Sequence, residues 1–285
     1  MLVTSKQLIL NAQKGKYAVG AFNTSDLEMT KAIISAAEKL RAPVIIEASE
    51  KAIAYAGLEE LASSTIAAAK KAKVPVALHL DHGGSLEIVS QCLEVGFTSV
   101  MYDGSKLSFS ENIILTSQAV EMAHRKNVPC EGELGSIDKA GKAVHLNPIE
   151  KGFTDPNQVS EFVRKTQVDF LAVSFGSQHG IGDSEKLEID LLKKIHRKTN
   201  LPLVLHGASG VSSADVKAAV QNGICKINID TDIRHTFAKS IREVATQELG
   251  NQKLEDPRDI MKKVMVDIQK LVEEKIRMFG SENKA

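Results

Sequence analysis

Neither sign of charge is in excess along this chain. Its 36 Lys and Arg are matched by 36 Asp and Glu, so the formal net charge is zero. That balance excludes bulk electrostatic attraction to nucleic acid or to an anionic membrane, while leaving room for a local positive pocket that takes a small anion. Cysteine is scarce. Cys92, Cys130 and Cys225 are far apart and odd in number, and none belongs to a CxxC pair. Free, buried thiols in a reducing cytosol are the simplest reading. Long apolar runs are missing too, so no segment reads as a membrane span. The N-terminal stretch MLVTSKQLILNAQKGKY lacks a long h-region and a small-residue cleavage site, and reads as an amphipathic helix. Cytoplasm is the expected location. With no linker and no low-complexity tract, one domain is expected over 1–285.

What is present is a repeating pattern. Apolar residues make up 43% of the chain and charged ones 25%, a soluble globular composition able to bury a large core. Eight short apolar runs recur: YAVGAFN, PVIIEAS, PVALHLDH, SVMYDGS, PCEGELG, FLAVSFG, PLVLHGAS and CKINIDT. Several follow a proline, which stops a helix and permits a strand to start. Between them lie segments of helical period, such as SDLEMTKAIISAAEKL with a Ser25 or Asp26 cap, and SSADVKAAVQNG stopping at Gly223. Strands alternating with helices imply parallel pairing through right-handed crossovers. Eight such units predict an α/β fold, a closed (β/α)8 TIM barrel. The alternative, an open doubly wound sheet, lacks its GxGxxG signature here. A last amphipathic segment, 257–279, extends beyond the eighth unit as helix that caps the barrel or packs on a second subunit.

Chemistry in such a barrel sits at the C-terminal ends of the strands. Reading those ends in order gives Asn23, Ser49, Asp81 with His82, Asp103, Glu131 with Glu133, His179, His206 with Gly207, then Asn228 and Asp230. The remaining histidines differ: His124, His196 and His235 fall in helical segments, His145 in a loop and His79 inside a strand. Any single histidine is most simply a hydrogen-bonded one. Three of them, His82, His179 and His206, at the ends of separate strands match a catalytic zinc site with three nitrogen ligands and an open position. Asp81 is then a ligand, a partner orienting a histidine, or an acid/base group. Asp103 and Glu133 either take a second metal or bond loop backbone. HGASG and NIDTD follow strands seven and eight, the usual phosphate corner, where small residues let backbone N–H groups approach an anion. Lys226, on the inward face of the last strand, is either a Schiff-base nucleophile or an interior lysine paired with a carboxylate, and the second is the simpler.

These motifs carry a resemblance. From GAFN through LHLDHG, GFTSVMYDGS, EGELG, GSQHG and LHGASG to KINIDTDIR, the chain resembles the class II, zinc-dependent ketose-bisphosphate aldolases, specific for fructose or tagatose 1,6-bisphosphate. The resemblance implies zinc on His82, His179 and His206, Asp81 as the acid/base at the C4 hydroxyl, and Asp103 and Glu133 at a second metal position. It leaves room for a monovalent cation. It implies that Gly180, Gly207, Ala208, Ser209, Asn228, Ile229, Asp230 and Thr231 hold dihydroxyacetone phosphate, largely through backbone groups. Ser49 matches a contact to the aldehyde half, and Asn23 lies near the substrate. Arg258 matches an arginine offered to the far phosphate, across a subunit interface of a homodimer or homotetramer. The partner is a small phosphosugar, with no nucleic acid and no membrane.

One departure stands out. The loop after ELG, acidic in the family, reads SIDKAGKAVHLNP, with Asp138 its only early carboxylate. Three readings follow: cleavage of fructose 1,6-bisphosphate, cleavage of tagatose 1,6-bisphosphate or another phosphoketose, and a catalytically silent phosphosugar-binding barrel. A lysine-dependent aldolase using Lys226 is the rival chemistry.

Overall fold

The structure is a computed structural model describing residues 1–136, 152–177, 186–247 and 256–285. Eight strands form the barrel: β1 (Val19–Asn23), β2 (Val44–Ser49), β3 (Val76–Gly83), β4 (Ser99–Tyr102), β5 (Cys130–Leu134), β6 (Phe170–Val173), β7 (Leu203–Leu205) and β8 (Ile224–Ile229). They pair in sequence order, and β8 closes on β1. Every pairing is parallel. The expected barrel is therefore the observed one, and the open sheet is excluded.

Side-chain alternation sorts the two faces of each strand. Val44, Ile46 and Ala48 of β2, and Val76, Leu78 and Leu80 of β3, face the surrounding helices and join the large outer core. The residues between them point inward. Near the N-terminal mouth the interior is apolar, with Val19, Ala21, Ile45, Ala77, Phe170, Ala172 and Val204 packed on Leu8, Ile9 and Ala12 of the helix Ser5–Gly15. The N-terminal amphipathic helix thus plugs the bottom of the barrel. Higher up, the interior turns polar: Glu47, His79, Glu131 and Lys226 are all fully buried there.

Helix starts follow the capping chemistry. Asp26, rather than Ser25, caps the helix Leu27–Leu40 by accepting from the Met29 N–H at 2.7 Å. The segment 257–279 is one helix, Pro257–Phe279, packed on Leu27–Leu40 and on Thr231–Gln247. Its buried Val264, Ile268, Val272 and Ile276 are four residues apart, a stripe that completes the outer wall over β1. Among the described residues, no helix is long and apolar enough to cross a membrane.

Candidate active site

The polar ends of β1, β2, β3, β5, β7 and β8 converge on the C-terminal mouth. Ser49 stands opposite Asp81 in the β2–β3 register, and Ala21 opposite Asn228 in β1–β8, which puts these side chains at neighbouring heights. Alternation alone would send Asp81 inward and His82 outward. The chain avoids this with a local irregularity. His82 has φ +51, in the left-handed region, and the β3–β4 register shifts between Leu80 and Gly83. The extra residue re-aims the His82 ring into the mouth beside Asp81. Gly83 is required next to it, because a Cβ there would lie 2.7 Å from the Met101 carbonyl oxygen.

Two imidazoles meet at this point. His82 Nε2 and His206 Nδ1 face each other at 2.8 Å, with ring centroids 4.6 Å apart and planes at 84°. Each ring anchors its other nitrogen on a carboxylate. His82 Nδ1 donates to Asp103 Oδ2 at 2.8 Å, and His206 Nε2 donates to Glu131 Oε1 at 2.7 Å. That pattern sets the orientation of both rings and brings His82 Nε2 and His206 Nδ1 together, the two nitrogens that would turn their lone pairs to a metal once both rings are neutral. Around it, ligand atoms of Asp81, His82 and His206 lie within 4.8 Å of one another, as do those of His82, Asp103 and Glu133. Imidazole and carboxylate donors of this kind suit zinc. Two groups can therefore hold a metal here, and Asp103 doubles as the anchor of His82.

Asp81 is buried and tightly held. Asn23 Nδ2 donates to its Oδ2 at 2.9 Å, and Asn228 Nδ2 to its Oδ1 at 3.1 Å. Both asparagine amide oxygens stay buried without a protein partner. Burial pushes the Asp81 pKa up, but the charges of His82, His206 and Lys226 outweigh it and hold it at about 2. On His82, burial is opposed by Asp81, Asp103 and Glu133, which raise it to about 10. Burial dominates at Glu133, raising its carboxyl to about 8, and its Oε2 has no hydrogen-bond partner.

Two cavities open from this centre. One, ≈ 400 Å³, is lined by Asn23, Asp81, Asn228 and the corner formed by Gly207, Ser209, Asp230 and Thr231. Gly207 has φ +63 there, and Ser209 Oγ accepts from the Asp232 N–H at 3.3 Å, tying the β7 loop to the first turn of Thr231–Gln247. Ala208 and Ile229 are buried, and Ile229 packs outward among the helices, so that only its backbone faces the site. The other cavity, ≈ 1060 Å³, shares Ser49, Lys51, Asp81 and His82 with the first and continues to Asp103, Lys106 and Glu133. The Ser49 hydroxyl also caps the helix Glu50–Ala56, accepting from the Ala52 N–H at 3.3 Å.

His179, Gly180 and Asp138 lie outside the described residues. Arg258 lines neither cavity; its guanidinium is exposed and turned onto Asp256 at 2.5 Å. Sequence reasoning missed Lys51, Lys106 and Arg234. All three border the cavities, but they follow the strand ends by two or more residues, where position carries no parity signal. Arg234 is held by Asp230 at 2.9 Å. Lys226 sits below the mouth, 2.7 Å from Glu47 and 3.0 Å from Glu131, as the paired interior lysine expected.

Comparison with known proteins supplies the family. The family model for class II fructose-bisphosphate aldolase matches residues 3–284. The chain belongs to that family. This aldolase is a carbon–carbon lyase, and the family is generally zinc-dependent. Among solved structures it resembles the YdjI aldolase of Escherichia coli K12, with 35% identity over 100% of both chains and a TM-score of 0.88. It shares its fold with the fructose-bisphosphate aldolase of Campylobacter jejuni, at 24% identity, 100% and 97% coverage and a TM-score of 0.84.

Proposed function

We propose that this aldolase reversibly cleaves fructose 1,6-bisphosphate to dihydroxyacetone phosphate and glyceraldehyde 3-phosphate, with zinc held by His82, His206 and His179. The observation that carries the reading is the facing pair His82 Nε2 and His206 Nδ1 beside a clamped Asp81. When bound, zinc supplies Lewis-acid polarisation of the ketose carbonyl and a sink for negative charge.

The chain's own residues do the rest. Gly207, Ala208, Ser209 and Thr231 offer backbone and hydroxyl groups to the C1 phosphate at the start of Thr231–Gln247. Asp81 takes the C4 hydroxyl proton. The O–H electron pair becomes the aldehyde C=O, the C3–C4 bond breaks, and its electrons pass toward C2. The free amide oxygens of Asn23 and Asn228 accept from substrate hydroxyls, so the carboxylate and the sugar are oriented by the same two side chains. A proton taken up at C3 from solvent completes dihydroxyacetone phosphate and balances the one that Asp81 removed from the C4 hydroxyl. Asp103 and Glu133 would hold a second metal ion beside His82.

Charge supports a bisphosphate. Lys51 and Lys106 border the larger cavity, and among the described residues neither ammonium is tied to a carboxylate. They suit the phosphate on the aldehyde half, next to Ser49. Arg258 joins them only where a second copy of the chain, in a homodimer or homotetramer, brings it to the mouth. Lys51→Ala is expected to raise KM for the bisphosphate about tenfold, the loss of one charge-assisted contact at a solvated site, with kcat changed less. An unchanged KM in steady-state assays would remove Lys51 from substrate binding.

The functional test is parallel cleavage of fructose 1,6-bisphosphate and tagatose 1,6-bisphosphate by the zinc-loaded enzyme. A higher kcat/KM for the fructose epimer is expected. Preference for tagatose 1,6-bisphosphate would reassign the sugar within the same mechanism. Failure on both would redirect the search to other phosphoketoses or to a silent binding barrel.

A further inference from the structure

A file of buried polar groups runs down the barrel axis beneath the two histidines. Glu131 links them to the interior. Its Oε1 accepts from His206 Nε2 at 2.7 Å, and its Oε2 lies 3.0 Å from Lys226 Nζ. Lys226 is also 2.7 Å from Glu47 Oε1 and 3.5 Å from His79 Nε2. His79 turns Nδ1 to the Ser99 hydroxyl at 2.6 Å, and Ser5 of the N-terminal helix donates to the same oxygen at 2.6 Å. One tautomer satisfies all of these contacts: His79 carries its proton on Nδ1 and accepts from Lys226 at Nε2. Glu47, His79, Glu131, His206 and Lys226 all have zero exposure.

An apolar filling would hold this layer together at least as well, because buried ion pairs seldom stabilise a fold beyond well-packed hydrophobes. The layer directly below is filled in just that way. What the ionic layer adds is direction. A carboxylate with Oε2 drawn to an ammonium 3.0 Å away is left with Oε1 turned to His206 Nε2.

We infer that Lys226 is a positioning residue that acts through Glu131 to fix the ring of His206, so that Nδ1 is directed at the metal position before any metal arrives. The inference rests on the reading of His82 and His206 as metal ligands. It gives the interior lysine a part in the reaction without contact to substrate. Glu47 reaches the same ammonium at 2.7 Å, although burial raises its carboxyl to about 8 and leaves Glu131 the firmer counter-ion.

The test measures zinc affinity of the metal-free full-length protein by competition with a chromophoric chelator, for wild type, Glu131→Gln, Lys226→Met and the double variant. Each single change is expected to weaken zinc binding about 10–100-fold, the usual effect of removing a partner of a ligand histidine. The double variant should bind as Glu131→Gln does, within about twofold, because Lys226 acts only through Glu131. Lys226→Met leaves both Glu131 and Glu47 buried without their cation, so its fold is checked by circular dichroism. Glu131→Gln keeps the test open, since Glu47 remains to pair Lys226; in the double variant only Glu47 loses its cation, and burial, which already lifts its carboxyl to about 8, lets it stay neutral. Wild-type zinc affinity in Glu131→Gln, or single effects that multiply in the double variant, would overturn the inference. A wild-type protein that binds no zinc would sink the metal reading itself and the inference with it.

Discussion

Replacing Asp81 with Ala is expected to lower kcat by about 10²–10⁴-fold, the span of a positioned acid or base, while zinc stays bound. The carboxylate is ionised before substrate arrives, because neighbouring positive charge holds its pKa at about 2 against the effect of burial. It is also immobile, with an asparagine amide on each oxygen. Substrate therefore meets a fixed acceptor whose orientation costs nothing at the moment of reaction. Asp81→Asn separates the base from the packing. It preserves the shape and removes the acceptor of the proton, so its kcat should fall as far as that of the alanine variant. Steady-state kinetics with zinc content measured on the same samples decide the matter. A variant that retains its zinc and turns over within threefold of wild type would take the proton transfer away from Asp81.

The barrel was legible because its signals are local and repeated. Each strand is a short apolar run bounded by proline or by a polar break, and closure follows from the number of units. Strand ends then name Asn23, Asp103, Glu133, His206 and Asn228 as facing one mouth, since parity and position are enough. His82 was legible only as a neighbour of Asp81. Two consecutive strand residues point opposite ways, and what brings both into the site is the left-handed turn at His82 with its register shift, a backbone event with no residue-type signature. The file of Glu47, His79, Glu131 and Lys226 shows a further limit. Parity turns each of them inward, yet the contacts among them depend on strands distant in sequence standing at matched heights. Arg258 was proposed from resemblance alone, and within one chain it turns to Asp256.

Stripping the enzyme of metal is expected to reduce cleavage to background, zinc to restore it, and borohydride with dihydroxyacetone phosphate to leave Lys226 unmodified. The argument turns on where Lys226 stands. A Schiff base needs a neutral amine with access to a carbonyl carbon. The Lys226 amine has neither. Burial would favour the neutral form, but Glu131, Glu47 and Asp81 outweigh it and hold the ammonium charged, above its ordinary pKa. Glu131 and His206 lie between it and the mouth, and it lines neither cavity. Attack by this amine would require breaking both ion pairs and moving a metal-site histidine aside. The charge released when the C3–C4 bond breaks is therefore expected to be met from above, at the histidine pair, where a bound cation would supply the electrophile. Cleavage that persists in protein verified to be metal-free, together with a borohydride-stable adduct at Lys226 found by peptide mass mapping, would reverse this assignment and make the buried ion pairs a gate over a nucleophile.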